Sequence, residues 1–114
     1  MTRPIYYMTH PVSGDVAGNI ARAKRWLRCL ITGNPSIDFT APWISWVEVL
    51  GDDADRERGL AFDCETVRRC DGIVVIGTAT PGMAMELHAA RDAGIAVVHI
   101  ATDRIGDPPS KFRI

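Results

Sequence analysis

Two unbroken apolar runs constrain this chain more than any other feature. They are "DGIVVIG" at 71–77 and "GIAVVHI" at 94–100. A strand with one wet face alternates apolar and polar residues, whereas a strand covered on both faces reads as a continuous apolar run. Both stretches are therefore predicted as buried strands. Residues 81–93 between them carry helical periodicity, with Thr80 at the N-cap and Pro81 at the first helical position, where its missing N–H costs nothing. A strand, a helix and a second buried strand in succession predict a parallel pair.

The same alternation extends toward the N-terminus. "PIYYM" (4–8) is a short strand candidate, followed by a loop, "THPVSGD" (9–15), marked by Pro11 and Gly14. Residues 15–32 are predicted helical, with Val16, Ile20, Ala23, Leu27, Leu30 and Ile31 at three- and four-residue steps and Gly33 as the stop. "SIDFTA" (36–41) is a second strand candidate. "PWISWVEVL" (42–50) reads as a short helix or a folded-over loop, and "GDDADRERG" (51–59) as polar and exposed. Residues 56–70 form another helix with Leu60, Cys64 and Val67 on one face. Asp71 is expected to end that helix and tie down the turn. The tail, "ATDRIGDPPSKFRI", reads as irregular, with 103–114 set apart from the folded part. The expectation is one α/β domain over 1–114, a three-layer fold with a small parallel sheet of four or five strands. Ligands of such sheets bind outside the carboxyl ends of the strands, which directs attention to the loops after Met8 and Ile76.

Charge and cysteine content exclude several classes. With 13 basic and 14 acidic residues the net charge is -1, without the basic excess of a dedicated nucleic-acid binder. Arg22, Lys24, Arg25 and Arg28 read as a solvated helix face. Cys29, Cys64 and Cys70 are odd in number and lack CxxC spacing, so they are expected to be reduced thiols in a cytoplasmic protein. The start, "MTRPIYYMTHP", is too short and polar for a signal peptide. No apolar run approaches the roughly 20 residues that span a bilayer. His10, His88 and His99 have no metal-binding spacing, and His99, inside an apolar run, is expected to be buried and structural.

One residue conflicts with its surroundings. On the 81–93 helix, Met83, Leu87, Ala90 and Gly94 define an inward stripe. Glu86 sits on its shoulder, and a side chain there tilts back toward the helix start and the "GTATPG" loop. A carboxylate so placed is costly unless something pairs with it or uses it. Two explanations compete: loop amides or an arginine satisfy it, or it is a nucleophile or general base in a cleft. Asp63 stands beside Leu60 and Val67 as a second acid able to tune it, against the plain reading of a solvent-facing helix aspartate. Tyr7 either presents its hydroxyl to the same edge or is ordinary core. The amides of "MTHPVSGDVAGN" suit an anion, with Thr9, His10 and Ser13 as added donors, although no complete phosphate-loop motif is present.

Three stretches, "IYYMTHPVSG", "AFDCETVRRCDGIVVIG" and "TPGMAMELHAARDAGIAVV", together resemble the nucleoside 2-deoxyribosyltransferase-like superfamily. The likeness spans most of the chain and leaves about 34–56 unassigned. It implies a flavodoxin-like (Rossmann-like) fold acting on the N-glycosidic bond of a nucleoside or nucleotide, with no cofactor and no metal. By the same resemblance Glu86 is the nucleophile, Asp63 the partner acid and Tyr7 the residue that orients the glutamate. Thr9, His10, Gly14, Gly77, Gly82 and Met83 are the substrate-binding candidates, Gly82 leaving room for the sugar. It also implies a homo-oligomer, in which Trp43 and Trp46 cap a neighbouring site or form an interface, with ordinary packing as the alternative. The loop "GTATPG" departs from the family pattern, which often carries another aspartate there. That departure favours the competing expectation, a catalytically inactive nucleotide-binding or sensing module.

Overall fold

The computed structural model describes residues 2–101 and 106–114. The elements run β1 (Ile5–Thr9), α1 (Val16–Gly33), β2 (Asp38–Thr40), α2 (Pro42–Leu50), α3 (Arg56–Arg68), β3 (Gly72–Ile76), α4 (Pro81–Ala93) and β4 (Ala96–Ile100). The four strands form one all-parallel sheet in the order β2-β1-β3-β4. The fold is a three-layer α/β arrangement of the flavodoxin/Rossmann type with the lower of the two expected strand counts. Right-handed crossovers put α1 on one face and α3 and α4, packed side by side, on the other.

The centre of the sheet follows the apolar pattern. Every residue of β3 is buried, and Tyr7, Met8 and Thr9 of β1 beside it are buried too. Tyr6 stands opposite Gly72 in the register. A Cβ at Gly72 would meet the Tyr6 ring at 2.5 Å, so the ring lies where only glycine leaves space. Asp71 ties the sheet rather than a turn: its Oδ2 accepts the Ile5 backbone N–H at 2.8 Å. For α4 the structure matches the expected bounds, and the Thr80 hydroxyl accepts the Met83 N–H at 3.4 Å.

Several expectations need correction. β4 is not buried: Ala96, Val97 and His99 are exposed. An apolar run reports the tolerance of a strand for cover, and β4 is the outer strand of the sheet, where Val97 and His99, on the face of Tyr7 and Thr9, stay exposed while Ile100 on the other face is buried. His99 is accordingly exposed, with Nε2 2.7 Å from the Gly77 carbonyl. In α1 the inward face includes Trp26 and Cys29, and Ile31 is 52% exposed. Trp26 is drawn inward because the tail has structure of its own. Its Nε1 donates to the Gly106 carbonyl at 3.1 Å, and its ring meets Phe112 edge-on. Asn34, fully buried, donates to the Phe112 carbonyl and accepts from the Ile114 N–H. Within the tail, the expectation for 103–105 lies outside the described residues. The 42–50 alternative resolves as a helix. Strand 36–41 shrinks to three residues, and the segment 51–59 already contains the first turn of α3, with Gly59 buried. Among the described residues no helix is long and apolar enough to cross a membrane.

Candidate active site

Side chains of a strand alternate between faces, so Tyr7 and Thr9 of β1 point to the same side of the sheet, toward α3 and α4. Glu86 comes from the second turn of α4 and meets Thr9 there: the Thr9 hydroxyl donates to Glu86 Oε1 at 2.9 Å. Glu86 is 6% exposed, at the middle of the buried stripe of α4 with Met83, Ala89 and Ala90 rather than on its shoulder. Leu87 is only half-buried, and Gly94, exposed, is the left-handed C-cap. Among the described residues neither an arginine nor a loop amide satisfies Glu86. Asp63 of α3 is half-buried, not solvent-facing.

These groups border a crevice with about 100 Å³ of room. His10, Ser13, Asp63, Gly82, Met83 and Glu86 line it from the sheet side. Trp43, Trp46, Val47, Asp52, Arg56, Gly59 and Leu60 close it from α2 and the start of α3. Of the nine candidate site residues, five line the crevice: His10, Asp63, Gly82, Met83 and Glu86. Tyr7 and Thr9 stand behind the wall: the Thr9 hydroxyl is bonded to Glu86, and the Tyr7 hydroxyl is a neighbour without a hydrogen bond. Gly14 and Gly77 do not line it; Gly14 is exposed in the loop beyond Ser13, and Gly77 is buried under the edge of the sheet.

Four buried side-chain atoms among the described residues have no hydrogen-bond partner: the Tyr7 hydroxyl, His10 Nε2, Asp63 Oδ1 and Glu86 Oε2. Buried polar atoms are satisfied in the great majority of cases, and here all four exceptions belong to one cluster. The Tyr7 hydroxyl is near enough to both carboxyls to favour their charged forms. It has no hydrogen bond to either, so it is a neighbour of both and a partner of neither.

Burial dominates the electrostatics. It pushes the Glu86 carboxyl up, against the opposing pull of Tyr7 and Thr9. Burial, then the charge of Glu86, push Asp63 from 3.8 to about 7, with Tyr7 again pulling down. Tyr7 is raised well above its ordinary value by burial and by both carboxyls, so its hydroxyl keeps its proton. Burial lowers His10, with Arg22 adding to the effect and the Pro11 carbonyl opposing it. The result is two acids whose proton affinity burial raises, beside a neutral phenol and a neutral imidazole, an arrangement that can hold a proton at one carboxyl and leave the other as a nucleophile.

The sequence alone did not identify Trp43, Arg56 or the α2–α3 junction as parts of this wall. Trp43 is anchored by its Nε1, which donates to the Met8 carbonyl at 2.8 Å, and its ring lies parallel to His10 at 6.5 Å and 12°. Its packing is thus internal and site-forming. Arg56 faces Asp52 at 3.9 Å and stands two helical turns before Asp63, roughly 10 Å along the axis. A broader groove of about 600 Å³ beside β2, lined by residues such as Ile5, Phe39 and Phe62, holds none of the unpartnered atoms. Among the described residues no three His, Cys, Asp or Glu side chains gather to hold a metal ion.

A family model described as a domain of unknown function (DUF7768) matches residues 4–100. The chain belongs to that family, and the match takes in every strand and helix and the whole crevice. No curated protein matches the chain.

Proposed function

We propose that this member of the family is an enzyme of the N-glycosidic bond, a deoxyribosyltransferase or hydrolase of small nucleosides or nucleotides, with Glu86 as nucleophile. One observation carries the reading: Glu86 Oε2 is buried and unpartnered at a crevice it shares with two other unsatisfied polar atoms, with the Tyr7 hydroxyl a third behind the wall. Thr9 holds Oε1 and leaves Oε2 to react.

Oε2 of ionised Glu86 attacks C1′ of the sugar and forms an ester bond. The C–N bond breaks, its electron pair leaves with the base, and Asp63, protonated near neutrality, supplies the proton. Water or the nitrogen of a second base then attacks C1′, gives its proton to the Asp63 carboxylate and breaks the ester to release Glu86, so configuration is retained and Asp63 is protonated again. Room of about 100 Å³ is less than the roughly 300–1,000 Å³ of sites that enclose a whole small molecule. It suits a sugar ring, with the base projecting out of the crevice. No metal or redox group enters this scheme. Three free, buried thiols support a reducing, cytoplasmic setting.

The test is incubation with deoxynucleosides and deoxynucleoside monophosphates, with chromatography of the free base. Wild type should release base, and Glu86→Ala and Glu86→Gln should lose at least about 100-fold in rate. The pH profile should be a bell. It rises as Glu86 ionises above its ordinary 4.5 and falls near 7 as Asp63 gives up the proton the leaving base needs. Binding without base release would instead support the sensing module that the acid-free "GTATPG" loop favours.

A further inference from the structure

The crevice wall carries donors, Arg56, Ser13 and Thr80 among them, beside its acceptors. Of the three unpartnered atoms on its lining residues, two are carboxyl oxygens and one is a histidine nitrogen whose role the geometry fixes. His10 Nδ1 lies 2.7 Å from the Pro11 carbonyl, and a carbonyl oxygen only accepts. Nδ1 therefore carries the hydrogen, and Nε2 of the neutral ring is an acceptor. The sequence suggested His10 as a donor; its neighbour's carbonyl reverses that role.

This acceptor is held rigidly. His10 is 2% exposed, its ring lies parallel to Trp43, and Trp43 is itself pinned to the Met8 carbonyl. We propose that His10 is a specificity residue whose Nε2 accepts a hydrogen bond from a sugar hydroxyl of the nucleoside bound beside Glu86. The inference rests on the glycosidic reading of the site. Nε2 is shielded from solvent and has no partner in the free protein, and because a buried acceptor left bare is costly, a ligand that fills the crevice gains by supplying that bond. A phosphate dianion brings only acceptors, the glycosidic nitrogen of a nucleoside has no hydrogen to give, and the amino and imide N–H groups of a base lie on the edge away from C1′. Sugar hydroxyls donate, and the 2′ and 3′ oxygens lie two and three bonds from C1′, the ring carbon that Glu86 attacks.

The test compares ribonucleosides, 2′-deoxynucleosides and 2′,3′-dideoxynucleosides of one base on wild type, His10→Phe and His10→Gln. In wild type, removing the recognised hydroxyl should lower kcat/KM roughly 10-fold or more. His10→Phe should flatten that discrimination, and His10→Gln, whose amide oxygen can accept, should restore part of it. In case the Phe variant fails to fold, ¹⁵N NMR of histidine-labelled Glu86→Gln protein reads the same contact: the Nε2 resonance should move on adding the 2′-deoxynucleoside and less on adding the dideoxy form. Equal discrimination by wild type and His10→Phe, or turnover with an unmoved Nε2 signal, overturns the proposal and leaves the glycosidic reading intact. A moved Nε2 signal without turnover on any nucleoside keeps the His10 contact and overturns catalysis. Neither signal nor turnover removes both.

Discussion

Asp63 links proton affinity to both stability and chemistry. Its folded value of about 7 lies far above the ordinary 3.8, so the fold prefers the protonated form. At pH below 3.8 the carboxyl is neutral in folded and unfolded chains alike, and its full contribution is present. Between 3.8 and 7 the unfolded chain releases a proton that the folded chain keeps, so stability falls as pH rises, and above 7 the loss is complete. Asp63→Asn, neutral at every pH, should therefore raise Tm at pH 8 relative to wild type and leave it nearly unchanged at pH 4. Each kcal/mol regained corresponds to roughly 4 °C for a domain of about this size. Differential scanning calorimetry at the two pH values checks this, and an equal shift at both would contradict the burial of the charge. Because Glu86 raises Asp63, the gain should shrink in a Glu86→Gln background; a double-mutant cycle at pH 8 measures that coupling. The same substitution should remove the basic limb of the rate profile along with most of the rate, as expected where an active site keeps a costly group.

At the scale of elements, legibility followed local chemistry. α4 was readable because Thr80 and Pro81 mark its start by capping physics that needs no partner, whereas Gly94, read as part of the inward stripe, is its left-handed C-cap. Glu86 and Asp63 were legible because an acid on an apolar face conflicts with helix periodicity. Trp26 was not, because nothing in the periodicity of α1 says that residues some 80 positions later pack on it. The exposure of β4 was not, because an apolar run does not announce whether a covering layer exists. His10 looked like a donor because its tautomer is set by a carbonyl in space, not by residue type. Arg56 and Trp43 needed α2 and α3 to fold over the sheet edge. One consequence of the long-range packing is testable at the end of α1. A Cβ on Gly33 would come within 2.4 Å of the Phe112 carbonyl oxygen and 2.8 Å of its nitrogen, all backbone atoms. Gly33→Ala should cost roughly 1–3 kcal/mol, read as a lower urea midpoint, and limited proteolysis should cut the 106–114 segment sooner. An unchanged midpoint would mean that the segment does not dock as described.

The molecule as a whole divides its work between the two faces of the sheet. On the α3/α4 side the core is interrupted by Tyr7, Asp63 and Glu86, groups that burial strains. On the α1 side Trp26, Asn34 and Phe112 form a satisfied cluster, and exposed pairs such as Arg25–Asp107 and Lys24–Glu48 add little individually. Between them lies the sheet, where every residue of β3 is buried and transmits no slack. Stability added on the α1 face can thus offset cost incurred on the other without altering the geometry of the crevice. Sites far apart with no shared partners contribute additively, which gives a prediction for Phe112→Ala. Losing a half-buried ring that meets Trp26 at 6.4 Å should cost roughly 1–3 kcal/mol. At a temperature well below the lowered Tm, base release and its pH profile should be unchanged, and the pH 8 gain from Asp63→Asn should persist in full beside Phe112→Ala. If instead the rate falls with Phe112→Ala while the protein remains folded by circular dichroism, the two faces are coupled through β1, and the register of Tyr7 and Thr9 depends on the packing of α1.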